Sequence, residues 1–265
     1  MFIRHQMKVV FEKLEEAGIQ AIPLKGTLFS EKYFGDLGAR GTSDIDLLVR
    51  PSELERAIQC VKSLGYMTEQ ERIPSHFHWS FSKDIPHSAI PMTIELHWDL
   101  LKDKTSNLQI AEFWEQATPL GSYRYIKELS HYHTFYMICL HGWRHNLCSL
   151  KYFLDIIQLI HVIQEGLDYT LLMKDTAVHR SRRRIARTLA IVYAYFPHLI
   201  DAKMLPKEWK VRLWYRINLV RDSKRSVKKY LYWIHYQIFD YDTVKHSLAA
   251  IFHFLNRVTN KVSKV

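Results

Sequence analysis

The sequence predicts an α+β protein, with strands and helices mixed over residues 1–118 and helices alone over residues 119–265. Three observations predict it. Two short runs, DIDLLV at 44–49 and TIELHW at 93–98, alternate with the period of a strand. Beyond about residue 110 the apolar residues recur with helical period over long stretches. Glycine thins out in the same place, leaving Gly121, Gly142 and Gly166.

The elements follow in order. Val9, Val10, Phe11 and Leu14 give Met7–Ala17 an apolar helical stripe, and Gly18 suits its stop. Ile19–Leu24 is too short for a helix, and Pro23 fits a strand only at its end. After Lys25-Gly26-Thr27, a helix is expected over Thr27–Tyr33, then a loop through Gly35, Gly38 and Gly41. Asp44–Val49 is the clearest strand. Pro51-Ser52 opens a helix that ends at Leu64-Gly65, with Ser52 as its expected N-cap. Tyr66–Phe81 reads as one or two strands, 82–91 as a turn, and Thr93–Trp98 as a strand with Glu95 and His97 on one face. Helices are expected over 128–147, 149–165, 168–196, 206–220 and 224–260.

Composition narrows the class. With 265 residues, 48% hydrophobic and 24% charged, the chain is neither disordered nor too short for a sizeable core. No apolar run is long enough to span a bilayer, and the first residues lack a leader's apolar stretch, so a cytoplasmic protein is expected. Cys60, Cys139 and Cys148 show no CxxC spacing, which argues against a disulfide framework or a structural zinc site. Residues 1–118 hold 13 Lys/Arg against 17 Asp/Glu, or −4; residues 119–265 hold 24 against 10, or +14, which together give +10. An acidic half suits a metal, and a basic half suits phosphates or an anionic partner such as nucleic acid.

Asp44 and Asp46 carry the chemistry. Two positions apart on a strand, they point to one face. Like charges so close destabilise a fold unless a cation neutralises them. A divalent ion does this, because Mg²⁺ takes one or two carboxylates plus phosphate oxygens and water. Glu95, on a neighbouring strand, would supply a third carboxylate and allow two metals to clamp an in-line phosphoryl transfer.

These residues resemble a known group. LKGTLFSEKYF, then SDIDLLV, then TIELHWDL, then LHGWRH and LKYFLDI are similar, over about residues 17–160, to the bacterial uncharacterised nucleotidyltransferase family. That family lies in the DNA polymerase beta-like nucleotidyltransferase superfamily and is related in pattern to abortive-infection toxins. The resemblance implies a small mixed sheet with flanking helices and a helical C-terminal domain. It implies Asp44 and Asp46 as the metal-binding pair, with Glu95 as third acid and base. It implies that the backbone amides at Gly26 and Thr27 hold the nucleotide's phosphates. The chain departs from the superfamily in having Gly-Thr for Gly-Ser, Glu for the third Asp, and a longer gap before Asp44.

Around this set, Lys25 and Arg40 are candidates for neutralising phosphates, and Lys151 for binding the triphosphate beside Asp155. His97 contacts substrate or orients Glu95, or is a hydrogen-bonded core residue; His76, His78 and Trp79 read as structural. His141 and His145, four apart, lack a third ligand for zinc. Arg180, Arg182, Arg183, Arg184 and Arg187 form a basic patch on one expected helix, and Lys224, Arg225, Lys228 and Lys229 form another. Trp214, Tyr215, Tyr230, Tyr232 and Trp233 lie among them, at spacings that suit core packing or base stacking. The reading is a nucleotidyltransferase using Mg²⁺ or Mn²⁺, with an NTP as donor and a hydroxyl as acceptor. The alternatives are a non-catalytic nucleotide- or nucleic-acid-binding module of the same fold, and a toxin that modifies transfer RNA.

Overall fold

The computed structural model describes residues 2–73, 76–86, 88–209 and 227–262. They form two compact units, one of Met1–Leu100 with Ile110–Thr134 and one of Leu101–Gln109 with Phe135–Val265.

The first unit is built on a five-stranded mixed sheet. Its strands are β1 (Ala21–Pro23), β2 (Asp44–Val49), β3 (Met67–Thr68), β4 (His78–Lys83) and β5 (Met92–His97), in the order β1-β2-β5-β4-β3. β2 and β5 run parallel; the other neighbours are antiparallel. Pro23 sits on the edge strand, where a missing N–H breaks no ladder. One face of the sheet carries Ile45, Leu47, Val49, Phe81, Ile94 and Leu96 into the core. Against it pack helix α1 (Phe2–Glu16), through Met7, Val10, Phe11 and Leu14, and helix α3 (Leu54–Ser63), through Leu54, Ala57, Ile58 and Val61. Truncating one of these, Leu47→Ala, is worth about 2–5 kcal/mol.

Local signals place the connections. After α1 the chain turns at Gly18, with φ 65°, and the Ile19 N–H donates to the Leu14 carbonyl at 2.9 Å. Helix α2 (Thr27–Phe34) ends on a left-handed Gly35. Ser52 does not cap α3: Pro51–Glu53 forms a single 3₁₀ turn instead, and α3 starts at Leu54 with no side-chain cap. The fixed φ of Pro51 sets that first turn without help from a serine hydroxyl. Helix α4 (Ile110–Glu115) is followed by the small pair β6 (Thr118–Pro119) and β7 (Lys127–Glu128). The Glu15 carboxylate holds the 124–126 segment by accepting from the N–H groups of Arg124 at 2.6 Å and Tyr125 at 2.8 Å.

The second unit is helical: α5 (His131–Arg144, from Phe135 on), α6 (Leu150–Ile163), α7 (Tyr169–Val178), α8 (Arg182–Tyr195), α9 (Leu199–Ala202), α10 (Val227–Phe239) and α11 (Val244–Val262). The expected helix over 168–196 is two helices. Arg180 takes a left-handed φ of 54°, and the Ser181 N–H turns back to the Thr176 carbonyl at 2.9 Å. Tyr136 Oη fixes the break through His179 Nδ1 at 3.1 Å and Ser181 Oγ at 2.5 Å. The expected helix over 224–260 also divides, between Phe239 and Val244. Of 206–220, a 3₁₀ turn at Lys207–Trp209 is seen; the rest, with Trp214, Tyr215, Lys224 and Arg225, lies outside the described residues. The side chains of Lys228, Lys229, Tyr230 and Trp233 also lie outside the described part.

The expected arginine patch is not one surface. Arg184 and Arg187 are buried. The Arg184 Nη2 donates to the carbonyls of Thr105 at 3.0 Å and Arg180 at 2.8 Å, and its guanidinium lies 5.2 Å from the Trp143 and Tyr241 rings. Arg187 Nε pairs with Asp240 Oδ2 at 3.1 Å, and its Nη2 donates to Tyr232 Oη at 2.7 Å. A buried guanidinium needs a carboxylate or carbonyl partner, and both arginines have one.

Candidate active site

The face of the sheet opposite the core holds the acidic set. The register decides which residues meet: Asp44 lies opposite Thr93, Asp46 opposite Glu95, and His97 opposite His78. Period-two alternation then aims Asp44, Asp46, Glu95, His97 and His78 to the same side. Ligand atoms of Asp44, Asp46 and Glu95 all lie within 4.8 Å of one another. Asp46 is 1% exposed, whereas Asp44 and Glu95 are half-buried, so the cluster opens at one end.

Lys25 reaches in just before α2. Its Nζ lies 2.6 Å from Asp46 Oδ2 and 3.0 Å from Asp44 Oδ2. Burial opposes the charge on this amine, but Asp46 and then Asp44 outweigh it and raise its pKa. The ammonium thus occupies a cation's place between the two aspartates.

Glu95 has a different partner. Its Oε2 is 3.2 Å from His97 Nε2, which also lies 3.2 Å from Asp46 Oδ1. Burial alone would raise the Glu95 pKa; the His97 hydrogen bond and charge, helped by Lys25, bring it down to about 2. Such a carboxylate stays ionised and suits ligation better than strong-base chemistry.

The other expected residues fall as follows. Gly26 precedes α2 with φ 93° and ψ −147°, a conformation that favours glycine. Thr27 turns its hydroxyl inward, 3.7 Å from Met7 Sδ, so its side chain does not serve the cluster. The first-turn amides of α2 have no partner within the helix and are the groups able to meet a phosphate. Arg40 is buried, its guanidinium 5.4 Å from the Phe29 ring and its Nη1 3.4 Å from Thr42 Oγ1. Lys151 lies on α6, in the second unit. Beside α2 is a shallow open pocket whose wall includes Lys25, Leu28, Phe29, Lys32 and Tyr33.

Sequence alone does not join the histidines to the acids. His97 Nε2 hydrogen-bonds two of the three acids, and His78, which the sequence reads as structural, has its Nε2 3.8 Å from Glu95 Oε1. The signal was present in HFHWS and ELHW, where alternation puts each histidine on the polar face of its strand. The missing knowledge was which strands pair.

The arrangement fits a divalent cation. Three acids converge, one is buried, and a lysine ammonium already stands as counter-cation. A family model described as uncharacterised nucleotidyltransferase matches residues 1–197, the larger part of the chain. No curated protein and no solved structure matches it. The chain belongs to the uncharacterised nucleotidyltransferase family.

Proposed function

We propose that this family member moves a nucleotidyl group from a nucleoside triphosphate to a hydroxyl acceptor, with Asp44, Asp46 and Glu95 holding the divalent ions. The observation that carries this reading is the convergence of the three acids within 4.8 Å on one sheet face, beside a glycine-led helix N-terminus. When bound, Mg²⁺ or Mn²⁺ would acidify the acceptor hydroxyl and neutralise charge developing on the transferred phosphoryl.

The chain's own residues do the rest. Gly26 and Thr27 present backbone amides to the triphosphate. Lys25 releases the two aspartates and turns its ammonium to a phosphate oxygen. Arg40 supports that charge from behind Phe29. Glu95 receives the hydroxyl's proton after acidification, since a carboxyl with pKa of about 2 is a weak base alone. The α-phosphorus is attacked in line and pyrophosphate leaves. The functional division is proposed at residue 118, with the basic segment 119–265 serving an anionic partner such as nucleic acid.

The test is transfer of an α-labelled nucleotide to acceptors in a cell extract. The chain should label an acceptor only with a divalent ion, and Asp46→Asn should lower labelling by at least ~10²-fold. Metal-dependent nucleotide binding without transfer would leave a binding module of the same fold. Binding unchanged in Asp44→Ala with Asp46→Ala would move the site elsewhere.

A further inference from the structure

His78, Glu95 and His97 make up a second set of converging ligand atoms, also within 4.8 Å of one another. The two imidazoles face each other across the β4–β5 pair, stacked at 4.8 Å between centroids and 28° between planes. Both Nε2 atoms aim at one carboxylate, His97 at Oε2 from 3.2 Å and His78 at Oε1 from 3.8 Å. The second distance exceeds a hydrogen bond. Ligands bound at about 2.0–2.2 Å around one ion stand roughly 3–3.5 Å apart, so both spacings are near those of a shared metal. His97 is 4% exposed, and its Nδ1 has no hydrogen-bond partner among the described residues. Its ring is thus placed by the Nε2 contacts and by stacking.

We propose that His78, Glu95 and His97 form a nitrogen-containing site for a first-row transition cation such as Zn²⁺ or Co²⁺, joined to the all-oxygen set through the Glu95 carboxylate. Imidazole ligands select such ions, whereas Mg²⁺ prefers oxygen alone. Lys25 pairs with Asp44 and Asp46 and leaves this side of Glu95 to the histidines. On ligation, each imidazole binds as the neutral Nδ1–H form with the Nε2 lone pair on the metal; the proton that His97 Nε2 shares with Asp46 and Glu95 is exchanged through solvent for one on Nδ1 of the same ring. The two positions are then chemically unlike, one for the metal that accompanies a triphosphate and one for a resident ion that fixes Glu95.

The assay is a Co²⁺ titration of the full chain in excess Mg²⁺, followed by visible d–d absorption. A saturable signal is expected, abolished by Zn²⁺ and resistant to Mg²⁺. His78→Gln should weaken Co²⁺ binding by ~10–100-fold. His78→Cys should restore it with an added sulfur-to-cobalt charge-transfer band. Asp44→Asn should keep the signal even where it removes transfer, so failure of this site and failure of the proposed reaction are separable. Absence of a saturable signal, displacement by Mg²⁺, or an unchanged signal in a His78→Gln chain of wild-type melting temperature overturns the proposal.

Discussion

Lys25 Nζ stands 2.6 Å from Asp46 Oδ2, nearer than the 3.0 Å to Asp44 Oδ2, so the most buried acid of the cluster has the shortest ion pair. Lys25→Met strips that countercharge. In chelator the variant should lose about 3–5 kcal/mol of stability, the usual cost of halving a buried pair. Mg²⁺ should then raise its melting temperature more than it raises that of the wild type. Equal responses in the two proteins contradict the idea that lysine and metal share a place.

Glu95 gives the cluster an acid-sensitive edge. Its pKa falls from 4.5 to about 2 in the folded chain, so the folded state binds this proton less readily than the unfolded state. The stabilisation is complete above about pH 4.5 and disappears as pH drops toward 2. At ~1.4 kcal/mol per pKa unit it is worth at most about 3.5 kcal/mol. Denaturation of metal-free wild type and Glu95→Gln at stepped pH should show the wild-type advantage shrinking over that window. A difference that holds constant with pH contradicts it.

Gly26 and Thr27 should separate backbone from side-chain roles. A Cβ at Gly26 would meet Thr42 Cγ2 at 3.5 Å and Asp44 O at 3.8 Å, which is ordinary contact. The cost of Gly26→Ala is therefore its φ of 93°, about 1–3 kcal/mol of backbone strain. Thr27→Val loses only the contact to Met7 Sδ and should cost under ~1 kcal/mol. Isothermal titration with nucleotide should show binding weakened by the first change and kept by the second. The reverse order would assign the phosphate contact to the Thr27 hydroxyl.

Arg187 should behave as a core residue. Arg187→Met leaves Asp240 buried without its guanidinium and should destabilise the chain by about 3–5 kcal/mol, whereas exposed Arg180→Ala should stay within about 0.5 kcal/mol. Burial already pushes Asp240 up to about 6, against the pull of Arg187. A folded carboxyl with a raised pKa binds its proton more readily than the unfolded one. Without the guanidinium Asp240 holds its proton to still higher pH, so the variant's deficit should be largest near about pH 9 and ease as pH falls to about 6, below which it stays level. Chemical denaturation at both pH values measures this.

Much of the candidate site could be read along the chain. Asp44 and Asp46 on one strand face, glycine before α2, and Glu95 on a second strand all follow from local period and turn chemistry. The burial of Arg184 and Arg187 could not be read that way. Helical period says that a face exists, but only the packed partners, here Asp240, Tyr232 and the Thr105 carbonyl, say which face is covered.

The sequence by itself determined the two central strands, β2 and β5, their polar and apolar faces, and the acids that converge. Only the tertiary structure decided that Asp46 pairs across from Glu95, that His78 lies opposite His97, and that Lys25 stands between the aspartates. The physical reason is range. Alternation is fixed by the bond geometry of a few neighbouring residues, whereas register is chosen by the summed packing and hydrogen bonding of segments up to fifty residues apart.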